Sequence, residues 1–223
     1  TLYGGSSFQR VCLHAAEISF KHPATNEVVT FTAPADFETN AQVALRVAII
    51  EPEATDAFRL IHGASDGWPG WYVERFGDFS LSQSETALTS AQRQKLATIR
   101  GVEAVYHKLL NRQVRRTESV QASPKLVSGN AVPDRFTIRE NGVKYELSFN
   151  EGYSVGLFLD QRDNRRRLLN GYIAAGFPLQ ESSRADDQSP MEILNTFAYT
   201  CGFSVCAALG GARTTSLDLS KKY

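Results

Sequence analysis

The apolar pattern of the chain changes twice within residues 192–218. Residues 192–199 have the alternation of a strand, residues 200–203 form a predicted tight turn, residues 204–209 fit a short helix, and residues 213–218 fit a second strand that ends in an acid. A strand, a helix and a second strand in this order predict a parallel β-α-β unit. Such units build the doubly wound folds.

The turn of this unit and its final acid suit a nucleoside. Gly202 lets a ligand approach the backbone, the helix start offers free N–H groups, and Asp218 can accept hydrogen bonds from both ribose hydroxyls. The turn lacks the G-x-G-x-x-G pattern of dinucleotide sites, and its single glycine better suits a cofactor without phosphate, such as S-adenosylmethionine. An ordinary β-α-β crossover with an acid at a strand end is the alternative that the pattern leaves open.

Two hairpins and a mixed region are predicted upstream. Alternating segments around residues 21–27 predict the first hairpin, and the pair Asn141-Gly142 predicts a type I′ turn in a second hairpin over residues 135–149. The other predicted elements are strands at residues 43–50 and 102–110, a helix at residues 91–99 capped by Thr89 or Ser90, and a helix at residues 161–175. Between them, a loop at residues 62–70 leads to residues 71–76, and Gly77-Asp78 turns the chain toward residues 79–83.

The charge balance excludes a strong overall electrostatic field. Lys plus Arg number 24, as do Asp plus Glu, so contact with nucleic acid would need a local patch. Arg112, Arg115 and Arg116 are the candidate patch, and a solvated edge is the equal alternative. No apolar run reaches the roughly 20 residues that cross a bilayer, so no membrane partner is expected.

Other conspicuous side chains have simpler interpretations. Cys12, Cys201 and Cys206 have neither a disulfide nor a zinc spacing, so no metal is expected and packing or loop roles are favoured. Several aromatic residues beside Arg75 could stack RNA bases, but a hydrophobic core beneath a loop is the interpretation that we favour. These aromatic residues are Trp68, Trp71, Tyr72 and Phe76.

Three segments carry a family resemblance that covers about residues 42–223. Residues 195–205 read NTFAYTCGFSV and lead to TSLDLS at residues 215–220, residues 158–165 read FLDQRDNR, and residues 59–70 read RLIHGASDGWPG. In their order along the chain they resemble class I S-adenosylmethionine-dependent methyltransferases of large-subunit ribosomal RNA, of the cytosine-5 type group. The segment at residues 195–205, with its continuation at residues 215–220, resembles the first two cofactor motifs of that family.

The resemblance implies an α+β fold, with a β-hairpin-rich mixed central domain at residues 41–178 and the first β-α-β unit of a truncated Rossmann-like methyltransferase domain at residues 179–223. The cofactor would be S-adenosyl-L-methionine and the partner RNA, with the catalytic residues expected beyond Tyr223. The residues implied to bind or adjoin the cofactor are Phe197, Ala198, Tyr199, Thr200, Gly202, Asp218, Gln161 and Arg162. Without the resemblance, Asp160 would be a helix cap and residues 165–167 a solvated face.

Residues 1–40 carry a second resemblance. The segments LYGG at residues 2–5, RVCLHAAEISF at residues 10–20 and TFTAP at residues 30–34 resemble the closing hairpin of the large RNA pseudouridine synthase family. A fusion of two RNA-modifying modules that begins upstream of Thr1 is therefore expected. His14 is expected to be a packing residue rather than a catalyst.

These patterns predict an S-adenosylmethionine-dependent RNA methyltransferase, in the cytoplasm or in an organelle. A non-catalytic RNA-binding module is the first alternative, and RNA binding without cofactor binding would favour it. A nicotinamide-dependent oxidoreductase is the second alternative, and the missing glycine pattern argues against it.

Overall fold

The computed structural model describes residues 13–33, 35, 41–110, 123–150, 154–179 and 189–219. The chain divides into two compact units, Thr1–Ala48 and Ile49–Tyr223. Cys12 and the candidate basic patch of Arg112, Arg115 and Arg116 lie outside the described residues. None of the helices in the described ranges is long and apolar enough to span a membrane.

The first unit contains the predicted hairpin. Strand β1 (Glu17–Lys21) pairs antiparallel with β2 (Val28–Thr32). The Ser19 and Thr30 hydroxyls are 2.8 Å apart across the two strands, and the rings of Phe20 and Phe31 stack at 5.9 Å. The hairpin is confirmed for residues 17–32.

The strand predicted at residues 43–50 is wrong, because this segment forms helix α1 (Ala41–Ile49). The apolar residues alternate here as they would in a strand, yet Val43, Leu45 and Val47 are all exposed. The remaining residues are mainly alanine, glutamine and arginine, which favour a helix. Backbone propensity therefore outweighed the alternation.

A five-stranded sheet forms the centre of the second unit. Its strands are β3 (Ala57–His62), β4 (Trp71–Phe76), β5 (Phe79–Ser84), β6 (Ala104–Leu109) and β7 (Lys125–Gly129), in that spatial order. Neighbouring strands run antiparallel except for β5 and β6, which are parallel. A parallel pair needs a crossover, and helix α2 (Ser90–Ala97) supplies it. Thr89, one of the two predicted caps, is the residue that caps α2, and it forms a capping box with Gln92.

Both faces of this sheet are covered. The second hairpin, β8 (Phe136–Glu140) and β9 (Val143–Leu147), packs its Phe136 ring 5.0 Å from the rings of Phe79 and Phe149. Asn141 and Gly142 have φ of 51° and 80°, the two positive values that a type I′ turn requires. A separate core cluster contains Ile61, Trp71, Val73, Leu88, Leu96 and Val105.

The helix predicted at residues 161–175 is shorter in the structure. A turn of 3₁₀ helix (Leu159–Gln161) leads into α3 (Arg162–Asn170), which ends because Gly171 adopts a left-handed conformation with φ of 74°. Strands β10 (Tyr172–Ala174) and β11 (Phe177–Pro178) then form a small antiparallel pair. Asp160 is not a helix cap, because it lies inside the 3₁₀ turn, where its carboxylate accepts the Gln161 side-chain amide at 3.0 Å.

The β-α-β unit is present where it was predicted. Strand β12 (Glu192–Thr196), helix α4 (Gly202–Leu209) and strand β13 (Arg213–Leu217) follow one another, and the two strands pair in parallel. Gly210, directly after α4, lies so close to α3 that a Cβ there would overlap the Leu168 carbonyl oxygen. The mixed α and β content agrees with the expected class, and the start of a larger Rossmann-like domain stays a prediction.

Candidate functional site

The turn between β12 and α4 has an unusual backbone. Phe197, Tyr199 and Cys201 have φ of 57°, 50° and 61°, so every second residue is left-handed. In the rest of the described chain, the non-glycine residues with positive φ are Asn26 and Asn141, and asparagine tolerates this conformation. Bulky residues adopt it at a cost of about 1–3 kcal/mol each, typically where a ligand site requires the shape.

Asp218 lies against this turn. The parallel register aligns Thr196 with Leu217, so the turn and Asp218 emerge at the same edge of the two-stranded sheet. The Tyr199 N–H donates to the Asp218 carboxylate at 2.8 Å, and the Ala198 N–H donates to the Leu217 carbonyl oxygen at 3.1 Å. The turn and the carboxylate, predicted to act together, are therefore in direct contact.

The start of α4 is tightly packed at Gly202. Cys201 is the residue that precedes the helix, and Gly202, its first residue, is buried. A Cβ on Gly202 would lie 3.0 Å from Leu157 Cδ1 and 3.6 Å from Arg165 Cδ. The glycine thus allows the helix N-terminus, with its partial positive charge, to approach the neighbouring segment closely.

Polar side chains hold α4 on the two strands. The Asn195 amide of β12 donates to the Ser204 hydroxyl at 2.9 Å, and this hydroxyl is 2.7 Å from that of Ser216 on β13. These bonds are partly buried, so they fix the angle of the helix N-terminus relative to the turn.

Residues 156–158 contact the turn, and sequence reasoning did not anticipate this contact. The Thr200 hydroxyl donates to the Gly156 carbonyl oxygen at 2.5 Å, and the Phe158 and Tyr199 rings are 5.6 Å apart. Phe197 is 79% exposed on the outside of the turn. The position of Phe158 at the start of the FLDQRDNR segment, two residues before Asp160, was the available signal.

Gln161 and Arg162 are tied to their own surroundings. The Gln161 side chain bonds to Asp160 at 3.0 Å and accepts the Asn164 amide at 2.9 Å. The Arg162 Nε lies 3.6 Å from Asp163, and the Arg162 carbonyl accepts the Asn141 amide at 3.3 Å. Their role beside a cofactor stays a prediction.

Arg165 is buried, so the interpretation of residues 165–167 as a solvated face does not hold for this residue. Its side chain is 2% exposed and makes a bidentate ion pair with the fully buried Glu140, at 2.6 and 2.8 Å. It also donates to the Phe158 carbonyl at 2.8 Å and lies 5.6 Å from the Phe203 ring. One guanidinium therefore joins the second hairpin, α3 and α4. Arg166 and Arg167 are exposed, as expected.

The two described cysteines fit packing and loop roles. Cys206 is 1% exposed, and its sulfur lies 3.0 Å from the Tyr145 hydroxyl. Burial raises the pKa of the Cys206 thiol and of the Tyr145 phenol, so both groups stay protonated near neutral pH. A protonated, buried thiol is a poor nucleophile. Cys201 is half-buried in the turn itself.

The aromatic cluster near Arg75 is divided between core and surface. Trp71 and Phe76 are fully buried, which confirms the core interpretation for these two, and the Trp71 indole donates to Ser82 at 2.8 Å. Tyr72 is half-buried, with the Arg59 guanidinium 5.3 Å from its ring centre. The Arg75 guanidinium donates hydrogen bonds to the Gly77 and Gly101 carbonyl oxygens, at 2.7 and 2.6 Å.

Lys108 gives the stability of the protein a pH dependence. Its side chain is 5% exposed, and burial lowers the pKa of the ammonium group from 10.5 to about 8. Between these values the unfolded chain binds more protons than the folded chain, so the free energy of unfolding should rise with pH. From pH 8 to about pH 9.5 we expect a gain of about 1–2 kcal/mol relative to Lys108→Met, measured by urea unfolding. A difference between the two proteins that is independent of pH would contradict this assignment.

A family model described as S-adenosylmethionine-dependent methyltransferase matches residues 81–222. A relative named ribosomal RNA large subunit methyltransferase I from Cronobacter sakazakii is 34% identical over 179 residues, which is 78% of this chain and 41% of the relative. The relative of the same name from Escherichia coli O157:H7 is 32% identical over 180 residues, with the same coverage. The chain thus spans less than half the length of these curated relatives.

Two solved structures are similar to this chain. One, described as "a putative methyltransferase complexed with SAH", is 30% identical with a TM-score of 0.60, over 80% of this chain and 41% of that one. The other, from Streptococcus mutans, is 24% identical with a TM-score of 0.59, over 96% of this chain and 57% of that one, and it supports the fold alone.

Proposed function

Because the chain belongs to the S-adenosylmethionine-dependent methyltransferase family, we propose that it acts in the methylation of large-subunit ribosomal RNA, with S-adenosylmethionine as the methyl donor. The observation that carries this proposal is the contact between the Tyr199 N–H and the Asp218 carboxylate at the edge of β12 and β13. The names of the relatives, ribosomal RNA large subunit methyltransferase I, support RNA as the substrate.

The residues of the turn fit a nucleoside with a methionine tail. A carboxylate has about four lone-pair sites, so Asp218 can accept ribose hydroxyls in addition to the Tyr199 amide. Phe197 offers an exposed aromatic face for an adenine ring. Tyr199 and Thr200 hold the turn against residues 156–158, and Gly202 lets the start of α4 pack against Leu157 and Arg165. In this proposal the backbone of Ala198 and Gly202 adjoins the ligand. Gln161 and Arg162 would adjoin the cofactor from the neighbouring segment.

The cofactor supplies a methyl group on a positively charged sulfur, which makes the transfer an in-line displacement by a nucleophilic atom of the RNA. The contribution of this part of the chain is to bind and orient, since such a reaction depends on holding the reacting atoms in line. The left-handed turn, fixed by Asp218 and by the Gly156 carbonyl, gives a rigid support for that purpose. Cys206 is not proposed as a nucleophile, because its thiol is buried and protonated.

We also propose the three-part division at residues 1–40, 41–178 and 179–223, with the first part as the closing hairpin of a pseudouridine-synthase-like domain. The hairpin of β1 and β2 supports this proposal. His14 Nε2 lies 2.6 Å from the Ala33 carbonyl oxygen, so the exposed imidazole has a backbone partner within this unit, and its packing role stays a prediction. The cytoplasm is the proposed location.

Calorimetric titration of the 223-residue chain tests the proposed function. We expect S-adenosylhomocysteine and S-adenosylmethionine to bind at one site and NAD⁺ to give no heat, since the turn lacks the glycines that a pyrophosphate needs. A parallel titration with ribosomal RNA fragments should show binding. RNA binding without either adenosyl cofactor would instead select the non-catalytic RNA-binding module and reject the proposal.

A further inference from the structure

A cavity of about 290 Å³ lies between α2 and the neighbouring strands β6 and β7 of the central sheet. Residues 87–93 form the wall on the side of the helix, and residues of the two strands form the opposite wall. Among its described lining residues, none belongs to the turn at residues 197–202. The cavity is therefore a separate site from the proposed cofactor site.

The charges around this cavity have one sign. Its titratable lining residues are Arg93, His107 and Lys125, and no acid occurs among the described residues that line it. Arg93 and Lys125 are exposed, and neither side chain forms an ion pair with a described acid. Two cations at the rim of one cavity are thus accessible to a ligand of negative charge.

The sheet register brings these side chains together. His107 on β6 and Lys125 on β7 are directly opposite each other in the antiparallel pair. Their side chains therefore share one face of the sheet, with Cβ atoms about 5 Å apart. Burial lowers the pKa of His107, and the positive charge of Arg93 on α2 lowers it further, so the Arg93 guanidinium is also close to the imidazole.

His107 contributes a neutral ring to the wall. Burial lowers its pKa below 6.5 more than the Thr86 and Ser82 backbone raises it, so the imidazole is uncharged near neutral pH. The Trp71 indole donates to the Ser82 hydroxyl at 2.8 Å, and this hydroxyl is 3.0 Å from His107 Nδ1. Because an indole N–H only donates, the hydroxyl hydrogen can point to Nδ1, which places the ring proton on Nε2. Nε2 is buried, and no described group is aligned for a hydrogen bond to it.

These groups favour a phosphodiester as the ligand. The three side chains offer N–H donors, and the two cations attract an anionic acceptor. The rest of the wall is largely apolar and includes Leu88, Leu109 and Val127. A phosphate group occupies only part of the volume, and the carbon atoms of a ribose suit the apolar part. RNA supplies both groups in one repeating unit, and RNA-binding proteins contact its phosphates with arginine and lysine.

We propose that this cavity holds one backbone phosphate of the RNA with its ribose, and that Arg93 and Lys125 donate to the phosphate oxygens. This inference rests on the proposed function, in which RNA is the substrate. A phosphate contact carries no sequence information, so the site would position the RNA on the central sheet without selecting its bases.

Fluorescence anisotropy with labelled octauridylate, measured over a range of salt concentrations, tests the assignment. Arg93→Met and Lys125→Met should each lower the slope of log affinity against log salt by about 0.7, the value for one phosphate contact on a single strand. At about 0.1 M salt this corresponds to a loss of about fivefold for each variant and about 25-fold for the double variant. Lys125→Arg keeps the charge and should keep the affinity.

Lys95→Met is the matched control. Lys95 is an exposed lysine on α2, two residues from Arg93, and it does not line the cavity. Its substitution should change neither the affinity nor the salt dependence. Circular dichroism verifies that each variant folds, and Arg93→Met decides the question if Lys125→Met does not fold.

Three further ligands identify what the cavity holds. An octamer of abasic ribonucleotides keeps every phosphate, so it should lose affinity in the two variants by the same factor as octauridylate. A loss confined to octauridylate would indicate a site for a base and overturn the inference. Octaaspartate that binds as tightly as octauridylate, with equal losses, would indicate an acidic protein partner, and displacement of the RNA by micromolar inorganic phosphate would indicate a site for the free anion. Either result overturns the inference.

The proposed function and this inference fail in different ways. Absence of S-adenosylhomocysteine binding by the wild-type chain would reject the proposed function, whatever the two variants do to RNA binding. Normal S-adenosylhomocysteine binding, together with an octauridylate affinity and salt slope that are unchanged in Arg93→Met and Lys125→Met, would reject the inference alone.

Discussion

Asp218→Ala is expected to lower the affinity for S-adenosylhomocysteine by about 100-fold or more. Hydrogen bonds to a charged group contribute about 1.5–3 kcal/mol each, and the proposed site uses two of them, from the ribose hydroxyls. The substitution also removes the acceptor of the Tyr199 N–H, which lies 2.8 Å from the carboxylate, so the left-handed turn loses a support. Isothermal titration calorimetry of the folded variant measures the loss.

Two further variants make this result specific. Asp218→Asn keeps an acceptor for the Tyr199 amide but has no charge, and it should bind between the wild type and Asp218→Ala. Glu192→Gln is the matched control, since Glu192 is an exposed acid at the opposite end of the same strand pair. If Asp218→Ala binds as tightly as Glu192→Gln, Asp218 does not hold the ribose.

Arg165→Met is expected to lower the free energy of unfolding by about 3–5 kcal/mol, because it leaves the Glu140 carboxylate buried without its partner. The bidentate bonds of 2.6 and 2.8 Å and the 2% exposure of Arg165 set this pair apart from the surface ion pairs of the chain. Urea unfolding measures the change. Arg166→Met, at the exposed neighbouring residue, should change stability by less than about 0.5 kcal/mol.

The double variant Glu140→Leu/Arg165→Met distinguishes the ion pair from simple loss of packing. Replacing a whole buried pair with apolar residues is often close to neutral, so this variant should recover much of the lost stability. The cost of Arg165→Met would then be the cost of an isolated buried charge. A double variant that is as unstable as the sum of the two single variants would contradict this explanation.

Much of the fold could be predicted because local signals and packing agree. The Asn141-Gly142 pair dictates a tight turn whatever surrounds it, and the Thr89 capping box marks the start of α2. Prediction failed where two local signals compete. The alternating apolar residues at 43–49 suggest a strand, but the intervening alanines favour the helix that forms. At the end of α3, Gly171 stops the helix, a signal that outweighed the apolar residues beyond it.

The candidate site was only partly predictable from the sequence. The spacing of the turn and Asp218 indicated their meeting, because the ends of parallel strands lie at one edge of a sheet. The contacts of Phe158 and Gly156 with the turn depend on how separate segments pack. The FLDQRDNR segment draws attention to Phe158, but its local sequence does not show which segment Phe158 meets. Arg165 illustrates the same limit. A run of three arginines suggests a solvated face, and only the partner Glu140, distant in sequence, shows that one of them is buried.

Because Arg165 connects segments that are distant in sequence, a substitution far from the turn along the chain can still affect the turn. Glu140 precedes the turn by more than fifty residues, yet through Arg165 and the Phe158 carbonyl it is mechanically linked to the Tyr199 ring. A change that loosens the tip of the second hairpin would therefore weaken binding of S-adenosylmethionine at the proposed site. Under the proposed function, genetic screens for lost RNA methylation should recover substitutions in this hairpin, because Arg165 links it to the segment that supports the turn.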